Sequence, residues 1–227
     1  MTEISYAKRC VAEGAGTALL LAIVVGSGIM GERFAQGNLA IALLANSLAT
    51  GAGLMALILA FEPVSGAHFN PLVTVLSAVR GDRSWQSVPG YLVAQFTGAV
   101  AGVLGAHVMF GLPALSLSRH ERSGAAMVFG EVIATFGLLM IILGTGRQGP
   151  RSTAMAVGAY IAAAYWFTSS TSFANPAVTL ARSLTDTFTG IQPADVAGFM
   201  TGQVAGGAAA AVFFRWLTES RKEGRNG

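Results

Sequence analysis

Apolar residues gather in long runs broken by short polar stretches, without the strict alternation of half-buried strands. Six runs approach the ~20 residues that cross a bilayer: 11–30, 38–61, 86–110, 125–144, 152–168 and 193–217. Glu62-Pro63 is expected to end the second. Two more stretches, 65–81 and 175–184, hold helices too short to cross. They start alike, at Asn70-Pro71-Leu72-Val73-Thr74 and Asn175-Pro176-Ala177-Val178-Thr179. Asn caps an orphan backbone amide, and Pro at the first helical position loses no hydrogen bond. Inside an apolar chain, each start predicts a half-helix beginning partway through the bilayer, its free N–H groups and positive dipole end near the midplane. The expected fold class is an all-α membrane protein. Six transmembrane helices and two re-entrant half-helices form one transmembrane domain over 1–227.

Composition agrees with immersion in lipid. Of 227 residues 53% are hydrophobic and 11% charged, against about 25% charged in soluble domains. The mean hydropathy is +0.59. The 29 glycines suit helices packed closely in a lipid bilayer. A net charge of +3 does not point to nucleic acid, because the cations lie in the short breaks between spans. They read instead as topology signals. With six spans, Lys8, Arg9, Arg80, Arg83, Arg147, Arg151, Arg215, Arg221, Lys222 and Arg225 share the side of the termini, against Arg33, Arg119 and Arg122 opposite. Both termini are therefore expected in the cytoplasm, with the chain in the plasma (inner) membrane. The first run reads as a retained span rather than a signal peptide. Residues 218–227 read as a polar, mobile tail. Cys10 is the single cysteine, so no intrachain disulfide forms.

The chain repeats itself. Glu13-Gly14-Ala15-Gly16-Thr17 is echoed by Glu131-Val132-Ile133-Ala134-Thr135, and Gln95-Phe96-Thr97-Gly98 by Gln203-Val204-Ala205-Gly206. The offsets are 118 for the glutamates, 105 for the Asn-Pro boxes and 108 for the glutamines. The halves, 1–111 and 125–217, hold three spans each, an odd number. They must insert in opposite senses, so the half-helices enter from opposite faces. An inverted-repeat channel or transporter follows. In these features the chain resembles the aquaporin family, the major intrinsic proteins. The resemblance implies six tilted helices and two half-helices around one pore per subunit, usually in a homotetramer.

Asn70 and Asn175, with Pro71 and Pro176, form the expected pore centre. Their amides can donate to a passing oxygen while their carbonyls stay tied to backbone N–H groups; the plainer reading is that they only cap. The stretches before each box, Gly66, Ala67 and His68, then Thr171, Ser172 and Phe173, are expected to offer a ladder of backbone carbonyls. Irregular backbone at membrane depth is tolerated only beside protein or a water-filled cavity. His68 is expected to brace its loop rather than bind a metal. Glu13 and Glu131 are intramembrane carboxylates, open to proton coupling or to bracing the re-entrant loops. Their symmetric placement and the resemblance favour bracing. Gln95 and Gln203 are read as packing or bracing residues. Leu72 stands where the family usually has Ala.

The resemblance also implies a selectivity filter of four positions. Counted from the boxes, they fall at Thr50, Ala163, Ser172 and Val178. The family's usual Arg after the second Asn-Pro-Ala is Val178 here. The filter is therefore expected to lack charge, ring and bulk. Arg182, one turn beyond Val178, either lines the outer mouth or faces the interface region or a neighbouring helix. The Arg-to-Val change resembles the AqpS-type arsenite-channel branch of bacterial aquaporins. That implies passive passage of arsenite and similar metalloid hydroxides, with glycerol, urea and water. A water-selective pore is the nearer alternative; a coupled secondary transporter and a sealed junction protein are the others. No nucleophile–base pair, metal-ligand set or cofactor motif suggests an enzyme.

Overall fold

The computed structural model describes residues 4–219. Among these residues are eight α-helices: α1 (Tyr6–Phe34), α2 (Leu39–Ser65), α3 (Pro71–Val79), α4 (Val88–Phe110), α5 (Ala125–Thr145), α6 (Pro150–Phe167), α7 (Pro176–Arg182) and α8 (Pro193–Thr218). Single 3-10 turns precede α4 and follow α5. Helix α1 packs on α2 and α4, α5 on α6 and α8, and α2 on α6 to join the halves. Among the described residues there is no strand.

Several expected boundaries move. Helix α1 begins at Tyr6 rather than near residue 11, because nothing in Tyr6–Cys10 breaks a helix. Pro63 does not end α2. It costs one hydrogen bond in the last turn, and the helix stops instead at Gly66, whose φ of 92° is left-handed and whose N–H caps the Glu62 carbonyl. The polar tail expected at 218–227 lies, from residue 220 on, outside the described residues. Among the described residues, five stretches are long and apolar enough to cross a membrane, in α1, α2, α4, α5 and α8. The sixth expected span, α6, is 18 residues long, about 27 Å at 1.5 Å per residue. It starts with Pro150, Arg151, Ser152 and Thr153, which lower its hydropathy.

Close helix crossings recur between the halves. A Cβ on Gly98 of α4 would lie 2.2 Å from the Gly14 carbonyl oxygen of α1. One on Gly206 of α8 would lie 2.3 Å from the Val132 carbonyl oxygen of α5. Between the halves, Gly51 of α2 and Gly158 of α6 press on each other's carbonyl oxygens, at 2.7 and 2.5 Å from the missing Cβ atoms. Small residues let backbones approach where lipid supplies no hydrophobic drive between helices.

Candidate functional site

The half-helices α3 and α7 meet head to head. Asn70 caps α3 through its side-chain carbonyl, which accepts from Leu72 N at 3.0 Å; Asn175 caps α7, accepting from Ala177 N at 3.0 Å and Val178 N at 3.3 Å. The amide nitrogens then cross the molecule. Asn70 Nδ2 donates to the Ala174 carbonyl and Asn175 Nδ2 to the Phe69 carbonyl, each at 2.8 Å. Each amide carries two hydrogens, and the crossing bond uses one. The other has no partner among the described residues. Both Asn side chains line one cavity of about 870 Å³. Pro71 and Pro176 begin the half-helices beneath them, and Leu72 packs toward Gly207 of α8.

Two buried carboxylates hold the loops that end at these caps. Glu13 accepts from His68 N (2.9 Å), Phe69 N (2.8 Å), Ser65 Oγ (2.7 Å) and Gln95 Nε2 (2.8 Å). Glu131 accepts from Phe173 N and Ala174 N (each 2.8 Å) and Gln203 Nε2 (2.5 Å). The same glutamine nitrogens reach Thr74 Oγ1 at 2.9 Å and Thr179 Oγ1 at 2.7 Å, and each threonine donates back to its cap's carbonyl. Neither glutamate lines the cavity. His68 Nδ1 lies 3.0 Å from Thr74 Oγ1. Among the described residues no group of His, Cys, Asp or Glu is placed to hold a metal.

The braced loops are strained. Ala67, Phe69, Thr171, Ser172 and Ala174 all have φ between 48° and 59°, a region that costs non-glycine residues energy unless the surroundings impose it. The carbonyls of Gly66, Ala67, His68, Thr171, Ser172 and Phe173 accept no hydrogen bond among the described residues. Gly66, Ala67, His68, Ser172 and Phe173 line the cavity; Thr171 does not.

Toward the end of the cavity away from the termini, Thr50, Ser172 and Val178 line the wall. Ser172 Oγ is buried without a partner. Ala163 is misplaced: it sits exposed on the outer face of α6. The buried stripe of α6 runs through Val157, Ile161 and Tyr165, at helical spacing, so counting back from the box without regard to helix face missed the wall. Ile161 and Tyr165 line the cavity, and the Tyr165 hydroxyl reaches Thr50 Oγ1 at 3.4 Å. Arg182 lines it too, 2% exposed, with Nε donating to the Thr189 carbonyl. With Tyr165 this wall has a ring that the expected filter lacked, and Arg182 takes the first of the two placements expected for it.

Two arginines first read only as topology signals fold inward. Arg83 donates to the Ser65 carbonyl at 2.8 Å and lies 4.0 Å from the Tyr91 ring centroid. Arg122 Nε donates to the Gly190 carbonyl at 2.8 Å, and its guanidinium lies 5.2 Å from the Phe173 ring centroid. Burial lowers the pKa of Arg122. No sequence signal separates these from ordinary loop cations, since what they reach lies far along the chain.

Residues 1–153 match the major intrinsic protein family. Aquaglyceroporin AqpS of Rhizobium meliloti (strain 1021) is 48% identical over 219 residues, which cover 96% of this chain and 94% of that protein. Aquaporin Z of Bradyrhizobium diazoefficiens is 30% identical over 229 residues, 93% and 94% of the two chains. In the X-ray structure of the aquaglyceroporin from Plasmodium falciparum, 96% of the chain aligns with 94% of this one, with a TM-score of 0.74 and 22% identity. That likeness bears on the fold.

Proposed function

The chain belongs to the major intrinsic protein family, multi-pass membrane channels for small solutes, and from that premise we propose that it passes small uncharged solutes passively. Arsenite and similar metalloid hydroxides are the foremost permeants, with glycerol, urea and water. The observation that carries this reading is Val178 on the wall of the cavity that Thr50, Tyr165 and Ser172 also line. An isopropyl group there leaves room that a long cationic side chain would fill. The hydroxyls suit a solute that itself displays hydroxyl groups. Arsenous acid is uncharged near neutral pH and resembles glycerol in shape and hydroxyl display. A neutral solute also sheds its water far more cheaply than an ion.

At the centre, the spare hydrogens of Asn70 and Asn175 donate to the oxygen of a passing water or hydroxyl. A water whose oxygen accepts from two donors at one point has no lone pair left to accept from its neighbours and can only donate to them, which interrupts proton hopping. The unpaired carbonyls of Gly66, Ala67, His68, Ser172 and Phe173 accept from the solute on either side. Passive conduction is favoured over coupled transport because Glu13 and Glu131 are saturated by the loops and stand off the cavity. We read 1–111 and 125–217 as inverted repeats, since the loop-amide and glutamine bonds to the glutamate, the glutamine–threonine bond and the crossing asparagine bond of one half all recur in the other. The subunit is expected in the inner membrane as a homotetramer, with cytoplasmic termini.

Glycerol uptake by proteoliposomes tests the passive reading. Uptake that reaches the external concentration and is indifferent to ionophores agrees with it; uptake that collapses when ion gradients are removed contradicts it.

A further inference from the structure

Arg182 ends α7, one turn past Val178. Side chains on a helix lean toward its N-terminus. A long side chain placed one turn late therefore leans back toward the preceding turn. Val178 and Arg182 line the same cavity, and the Arg182 guanidinium carbon lies 3.4 Å from the centroid of the Phe173 ring. Its Nε is held by the Thr189 carbonyl. No carboxylate pairs with it among the described residues. A buried cation without a counterion is costly, and the ring face and the carbonyl offset that cost only in part. The charge at the cavity wall thus has no ion-pair partner in contact among the described residues, and Glu131 acts on it only from a distance. The other residues named on that wall, Thr50, Tyr165, Ser172 and Val178, are uncharged, so Arg182 supplies the fixed charge there.

We propose that Arg182, clamped on the Phe173 ring and displaced one turn beyond the residue after Asn-Pro-Ala, is the group that excludes cations from this pore. This rests on the reading of the cavity as a solute path. A cation entering beside Thr50 and Ser172 has lost part of its water shell and meets a fixed positive charge that no carboxylate contacts, which raises its barrier. A neutral solute meets only a donor. Phe173 is a positioning residue: its ring holds the guanidinium against the wall, and its main chain is in turn braced by Glu131.

The test is sodium flux into proteoliposomes, with glycerol uptake of the same vesicles showing that each variant is folded and open. Arg182→Gln, which keeps a donor and loses the charge, is expected to raise sodium flux about tenfold or more. Arg182→Lys, which restores the charge, returns it toward the wild-type value. An Arg182→Gln channel that passes glycerol and stays as tight to sodium as wild type overturns the assignment. A leak that Arg182→Lys fails to reduce overturns it as well, since it would then reflect shape rather than charge. If the Gln variant does not assemble, Arg182→Cys in a Cys10→Ser background carries the same test. Its sodium leak should close when a thiol reagent installs an ammonium group, and a tight, glycerol-passing Arg182→Cys channel overturns the proposal. Wild-type protein that passes no glycerol defeats the channel reading itself and is told apart from these results by that measurement alone.

Discussion

Glu131 illustrates how much rests on single side chains. Its two oxygens accept from Phe173 N, Ala174 N and Gln203 Nε2, all within 2.8 Å. Glu131→Ala would leave two backbone donors buried and unpaired in a loop that already carries three left-handed residues. The expected loss is about 3–5 kcal/mol, read as a lower unfolding temperature of the purified protein in detergent, with Glu131→Gln intermediate. At the cavity wall, Val178→Arg adds bulk and a second cation beside Arg182. Arsenite and glycerol flux should fall about tenfold or more, while osmotic water flux persists; unchanged arsenite flux in a folded variant would remove Val178 from the constriction. At this scale the sequence was legible where a residue's chemistry was out of place for its surroundings: a carboxylate in an apolar run, or Asn-Pro inside a span. Tyr165 was not legible by counting from the box. The helical spacing of Val157, Ile161 and Tyr165 would have found it, because the wall is one face of α6 and Ala163 lies on another.

The helices are held at a spacing that only glycine permits at the crossings. Gly98 faces the Gly14 carbonyl as Gly206 faces that of Val132, and both approaches are under 2.5 Å for an added Cβ. Backbone cannot yield as a flexible side chain does. Gly98→Ala and Gly206→Ala should each push their helices apart and cost about 1–3 kcal/mol, measured by thermal unfolding, whereas Ala at Gly105, which has open space around its Cβ position, should cost little. Helix number and order were legible in the apolar runs and in the Asn-Pro starts. The end of α2 was not, because Pro63 reads as a stop, yet a proline in a final turn removes one bond and leaves the rest. The left-handed Gly66 three residues later sets the true end.

Across the whole molecule, the halves are joined by the same bond twice: each central Asn donates to a carbonyl of the opposite loop. Loss of either arm should loosen both. The offsets of 118, 105 and 108 between paired residues made this duplication visible in the sequence, because brace, cap and helix-packing residues repeat as a set. The inward folding of Arg83 and Arg122 was invisible there. Their partners, Ser65 and Gly190, are fixed by tertiary structure rather than by local pattern. Orientation is a property at this scale as well. A reporter cysteine at Ser84, in a Cys10→Ser background, should react with a membrane-impermeant thiol reagent only from the cytoplasmic side, and one at Glu121 only from the opposite side; the reverse pattern would invert the assignment made from Lys and Arg.

The most direct test of the central claim is arsenite uptake at neutral pH into proteoliposomes holding the wild-type protein, without an ion gradient and against empty liposomes. Uptake that rises to the external concentration is the predicted result. No uptake above the empty liposomes, in vesicles whose osmotic shrinkage shows open water channels, would contradict it and leave a water-selective pore.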